Sequence, residues 1–164
     1  MSDRLLDSDE HKPLSIEEWS QVVDLSDYFY ALVPLIYLKF SAEKNSVLDI
    51  EQNLPPLPFR SDWLKKKQVS QKETLRFVDV VGDSMNDYLH DGDVVLIDLG
   101  QTAIQDNNVY VITYGNELRV KRLSKRFDGG LFIRSDNKNF PEELLSTEQA
   151  KSIKVVGRVL WRAG

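Results

Sequence analysis

The sequence predicts a mostly β fold with a short N-terminal helical arm, and three observations carry that prediction. Runs rich in β-branched and apolar residues recur at Leu75–Val81, Val94–Asp98, Val109–Tyr114, Glu117–Leu123, Leu131–Ser135 and Ile153–Trp161. Turn-forming residues separate them: Asp91-Gly92-Asp93, the two-residue hairpin turn Gly115-Asn116, and Asp128-Gly129-Gly130. Helical spacing is confined to two short stretches that precede these runs.

Residues 1–13 are polar and acidic, with too few large apolar side chains to hold a fold, and read as an arm. Ser15 and Glu18 have capping-box spacing, and Ile16, Trp19, Val22 and Val23 follow at helical intervals. A short helix over about 16–25 therefore completes an arm of residues 1–30. One helix is not a helix-turn-helix, which needs at least two helices packed on a third element. In the next segment, residues 31–68, the apolar stretch Tyr30–Phe40 predicts one strand, the loop Ser41–Ser46 ends it, and Val47–Ile50 predicts another. Three prolines in Leu54–Phe59 remove ladder donors and confine that stretch to an edge or an extended linker. Ser61–Leu64 and the lysines at 65–67 read as a helical turn or two with a solvated basic face. Residues 69–164 hold the β-rich runs as one domain.

Composition narrows the chemistry. At 164 residues the chain is long enough for a sizeable core without covalent staples. The absence of cysteine removes disulfides, thiolate metal sites and cysteine nucleophiles, and two lone histidines, His11 and His90, make neither a histidine-rich metal site nor a Ser-His-Asp triad. A formal net charge of −5 gives no overall attraction to nucleic acid or anionic lipid. The longest apolar stretch, Tyr28–Leu38, is interrupted by Pro34 and falls well short of the ~20 residues needed to cross a bilayer. With no basic region leading into an apolar one at the N-terminus, a cytoplasmic protein is expected.

Gly82-Asp83-Ser84-Met85 follows the run ending in Val80-Val81 and sets a small serine at a strand-to-turn junction, beside a glycine that lets backbone approach closely. Lys121 lies in the second strand of the Gly115-Asn116 hairpin. Alternation puts Leu118 and Val120 on one face and Arg119, Lys121 and Leu123 on the other. Partial desolvation of a lysine between Val120 and Leu123 lowers its pKa and leaves a neutral amine able to take a serine's proton. Pattern alone does not make the two meet, and a turn serine with a lysine on a solvent face is the ordinary structural alternative.

Val81–Asn86, His90–Asp98, Val109–Val111, Arg119-Val120-Lys121-Arg122-Leu123, Ser135-Asp136-Asn137 and Val156–Val159, in that order and spacing, resemble the C-terminal domain of the LexA-like and phage-repressor family of serine-lysine self-cleaving peptidases, which includes UmuD-like proteins. The similarity covers about residues 75–162 and, more loosely, 33–64. It implies a compact LexA-like C-terminal peptidase fold, with 69–164 as the peptidase and dimerisation domain and 31–68 as cleavage-loop region and linker. It further implies that Ser84 attacks a peptide carbonyl, that Lys121 is the general base, and that backbone amides at Asp83 and Ser84 stabilise the oxyanion. The implied substrate is the chain itself, cut in a loop N-terminal to the domain when a RecA filament on single-stranded DNA favours the docked loop. Ala42-Glu43 is the candidate scissile bond, with an acid where the family pattern has glycine. No metal and no cofactor is expected.

The family's repressors carry an N-terminal DNA-binding head, and none is legible in this sequence. The expected function is that of a LexA-like or phage-repressor-type regulator lacking that head, dimerising and cutting itself through Ser84 and Lys121 in transcriptional or SOS-linked control. A non-proteolytic dimerisation or protein-interaction module of the same fold is the alternative. The expected partners are a second copy of the chain and a RecA filament, with DNA reached only through a head domain and no membrane. Val155, Val159 and Trp161 fall on one face of the last run if it alternates regularly, which points to self-association there. Trp19, Trp63 and Trp161 read as core or dimer packing, since no basic stripe interleaves them. Asp91, Asp93 and Asp98 read as turn and strand-end residues and not as a cation site.

Overall fold

Pro34 decides how the chain enters the sheet. Without an amide hydrogen it cannot continue a ladder, and the stretch expected as one strand divides around it into β1 (Tyr30–Val33) and β2 (Ile36–Ser41). This is seen in a computed structural model, which describes residues 30–41 and 43–164. β1 pairs only with β4 (Leu57–Arg60), Ala31 opposite Phe59, so the proline-rich stretch takes an edge in a small two-stranded sheet. β3 (Ser46–Glu51) folds back on β2 as a hairpin. A short helix α1 (Ser61–Lys66) leads to β5 (Leu75–Asp79), followed by β6 (Val94–Asp98), β7 (Asn108–Tyr114), β8 (Glu117–Lys125) and β9 (Leu131–Arg134). The chain ends with β10 (Glu143–Leu145), the single-turn helix α2 (Thr147–Ala150) and the long β11 (Lys154–Ala163).

Nine strands form one sheet in the order β10-β9-β8-β7-β11-β6-β5-β2-β3. Among the described strands only β2 and β5 pair in parallel, at Tyr37 and Phe77. Both faces are covered, which explains why Val94–Ile97 and Val109–Ile112 read as continuous apolar runs. On β7, Val109 and Val111 enter a cluster with Val78, Met85, Leu89 and Ile97, while Tyr110 and Ile112 enter another with Leu123, Leu131 and Ile133. A third cluster joins Val33, Phe59 and Leu64 to Phe77, Leu96 and Leu160. Trp63 stacks on Phe59 and Trp161 meets the same ring edge-on, so both tryptophans pack within the protein.

β11 departs from the regular alternation expected of it. Its register slips between Val155 and Gly157 and again between Val159 and Trp161, each slip inserting one residue. Val155, Val159 and Trp161 consequently lie against three different clusters and do not share one face. Gly157 sits where the backbones crowd: a Cβ there would lie 2.7 Å from the Asp98 carbonyl oxygen. β10 and α2 were not expected either, although Ser146 and Gln149 form a reciprocal capping box. The predicted helix over 16–25, with Trp19, lies outside the described residues, as does Ala42. Among the described residues no helix is long and apolar enough to cross a membrane.

Candidate active site

The loop after β5 is built from its buried ends inward. Met85 and Leu89 are fully buried beneath it, and the Val80 backbone is tied on both sides to the Asp91–Asp93 turn. The Gly82 amide donates to the Asp91 carboxylate at 2.6 Å, and Gly82 adopts a φ of +86°, a left-handed conformation that costs other residues energy. Ser84 is thereby lifted, half-buried, to the wall of a cavity of about 460 Å³ that Lys121, Val80, Leu118, Ser135 and Phe140 also line.

Lys121 reaches the same cavity from β8, where it pairs across the ladder with Tyr110. It is 6% exposed, against ordinary lysines that keep their ammonium in water. Burial holds its pKa below the usual lysine range; Arg119 two residues away pushes the same way, and Glu143 on β10 opposes them. A depressed pKa enlarges the fraction of neutral amine near neutrality, which a general base requires.

Ser84 and Lys121 therefore share one cavity, but the hydrogen bond from Lys121 goes elsewhere. Its Nζ donates to the Ser135 hydroxyl at 2.7 Å and lies 5.7 Å from the centre of the Phe140 ring. Ser135 opens the loop that leaves β9, and the next two residues fasten that loop. Asp136 makes a two-point ion pair with Arg122. Asn137 donates its backbone amide to the Ser84 carbonyl at 3.1 Å and its side-chain amide to the Asp83 carbonyl at 2.9 Å. In a trans peptide the Ser84 N–H points opposite to the Asp83 carbonyl, so Asn137 turns that amide away from itself. Among the described residues none accepts a hydrogen bond from the Asp83 or Ser84 amide. Ser135 and Asn137 were legible only as part of a motif, with no role attached; their contacts join residues far apart in the chain.

The other residues singled out lie elsewhere. Glu43 is exposed in the turn between β2 and β3 and does not line the cavity. Asp93 is buried and accepts from the His90 amide; Asp98 accepts from the Thr74 hydroxyl, the Gly100 amide and the Gln101 side chain. These carboxylates close turns and strand ends, and among the described residues no group of three or more His, Asp or Glu side chains is arranged to hold a metal ion.

The β-sheet thus brings a loop serine and a buried strand lysine to one cavity. Residues 35–160 match the Peptidase S24-like family, and the chain belongs to it. It is similar to the repressor protein CI of Enterobacteria phage phi80, 26% identical over 148 residues that cover 90% of this chain and 61% of the phage protein. It is also similar to the HTH-type transcriptional regulator PrtR of Pseudomonas aeruginosa, 33% identical over 50% of this chain and 33% of the relative. The 26 kDa repressor protein of Escherichia phage HK022 is 28% identical over 56% of this chain and 38% of its own length. The chain thus spans from about a third to about three-fifths of these relatives.

Proposed function

We propose that this chain is the peptidase and self-association part of a repressor-type transcription regulator, and that it cuts its own backbone at Ala42-Glu43. Ser84 Oγ attacks the Ala42 carbonyl carbon while Lys121 Nζ takes its proton. The tetrahedral oxyanion is held by the Asp83 and Ser84 amides, and Lys121 returns the proton to the Glu43 nitrogen as the C–N bond breaks. Water then releases the acyl group from Ser84. The observation that carries this reading is that a buried lysine, its pKa pushed down by desolvation, and a loop serine line one cavity. The similarity to phage repressors and a helix-turn-helix regulator supports the regulatory setting, with a second copy of the chain and a RecA filament as proposed partners.

Incubating the purified chain from neutral to alkaline pH tests the reading. Fragments corresponding to residues 1–42 and 43–164 are expected to appear faster as pH rises and to be absent in Ser84→Ala. A chain that stays whole throughout, yet sediments as a dimer, would instead assign the fold to a non-proteolytic association module.

A further inference from the structure

We infer that Ser135 is the positioning residue for Lys121, its hydroxyl holding the amine at the cavity wall where Ser84 stands; this rests on the serine-lysine reading above. The geometry is specific. Lys121 is buried as a residue, and among the described residues the Ser135 hydroxyl is its one hydrogen-bond partner. A buried lysine without such a contact would leave its flexible four-carbon stem to settle the amine's direction.

Ser135 is itself held. β9 ends at Arg134, so Ser135 is the first residue free of the ladder. The Asp136–Arg122 ion pair roots the following residue in β8 next to Lys121, and Asn137 binds the two carbonyls of the nucleophile loop. One tripeptide therefore fixes the lysine through its first residue and the serine loop through its third. The tripeptide thereby links the base directly to the nucleophile loop.

The charged groups around the amine do not supply that aim. Glu117 and Arg119 stand on its own strand and line the cavity with Glu143 of β10 and Asp79 at the end of β5, while Arg122, next along the strand, is held by Asp136 of the loop after β9. Glu117 is paired with Arg119, and Asp136 with Arg122. Their fields act on the charge of Lys121, whereas only a hydroxyl in contact fixes where its lone pair points.

The test uses the full chain and a fluorophosphonate probe, which reads activation of Ser84 without requiring the chain's own loop to dock. Ser84 Oγ displaces fluoride from phosphorus and its proton passes to Lys121. In Ser135→Ala the labelling rate at the alkaline plateau is expected to fall at least about tenfold, since a misplaced reacting group costs up to about a hundredfold. The midpoint of the pH–rate profile is expected to move down by about one unit, because the ammonium loses its acceptor. A variant that merely loosens the site would move the midpoint upward, toward that of a solvated lysine. Ser135→Thr, which keeps the hydroxyl, is expected to restore both rate and midpoint. Labelling of Ser135→Ala at the wild-type rate or faster, an unmoved or raised midpoint, or a wild-type chain that does not label would each overturn the inference. Wild-type labelling with no self-cleavage would overturn the self-cutting reading alone.

Discussion

β8, which carries Lys121, and the β2–β3 hairpin, which carries the candidate bond, are anchored in opposite ways. β8 is hydrogen-bonded to β7 along most of its length and to β9 at its C-terminal end, and Leu123 and the facing Tyr110 are fully buried. The hairpin meets the rest of the sheet at one parallel register pair, and β3 is the sheet's edge, with Asp49, Ile50 and Glu51 exposed. The contrast separates two requirements. Burial on a strand held by its neighbours lowers the pKa of Lys121, whereas the proposed cut would call on a segment drawn from the elements that open at least cost.

The largest effect should come from the centre. Lys121→Met keeps most of the side-chain volume without the amine, and self-cleavage is expected to fall by about a thousandfold or more, as general-base removal does. Lys39→Met, on the exposed side of β2, should leave the rate unchanged. Fragment formation followed by gel densitometry reads both, and equal losses in the two variants would dissolve the contrast.

Stability should divide along the same line. Ile97, fully buried in the central cluster, is expected to cost about 2–5 kcal/mol on substitution by alanine. Val47→Ala, at a half-buried hairpin position packed on the same cluster, is expected to cost about 1 kcal/mol. Urea unfolding of each variant at neutral pH is the measurement.

The central region was also the more legible one. Strands buried on both faces betray themselves as apolar runs, and Gly115-Asn116 forms the two-residue hairpin turn expected, with Tyr114 opposite Glu117. Ser84 and Lys121 were visible as motif residues, and the structure places them on one cavity. What pattern could not show was long-range: the Lys121–Ser135 contact, the grip of Asn137 on the Ser84 loop, and the two slips in β11, the first of them at Gly157, where the strand crowds the Asp98 backbone. β10 is three residues long and carries too little alternation to be read. The α2 capping box stands in Ser146-Thr147-Glu148-Gln149, but a single helical turn carries no apolar repeat to mark it as a helix. Pro34 was in plain view as a strand breaker, yet the apolar run around it outweighed the missing donor.

A smaller effect should appear in the pH dependence of stability. The folded chain holds Lys121 with a lowered pKa, while the unfolded chain returns it to about 10.4. Between those two values the unfolded state binds the extra proton, so stability rises with pH there; at lower pH the folded state bears the full cost of a buried ammonium. Relative to Lys121→Met, the wild-type chain is therefore expected to gain stability as pH increases toward about 10. Parallel curves for the two proteins would mean that the lysine is solvated in the folded state.

The smallest expected effect probes the hairpin's fastening. Arg76 on β5 grips Asp49 on β3 through two hydrogen bonds, at 3.0 and 2.9 Å, across the outer side of the sheet. Asp49 is half in solvent, and such a pair contributes about 0.5–1 kcal/mol at most. Arg76 is the wrong residue to change, because its guanidinium also binds the Glu73 and Leu75 carbonyls and its loss would disturb the start of β5. Asp49→Asn weakens the grip alone. If the hairpin must lift before Ala42-Glu43 can reach Ser84, the released population grows by the corresponding factor, and self-cleavage should quicken about two- to fivefold. Glu51→Gln makes the same charge change on the same exposed strand and has no ion-pair partner among the described residues, so it should leave the rate where it was. Equal rates for all three proteins would show that release of this hairpin does not limit the reaction, and that the edge position of β3 has no part in its control.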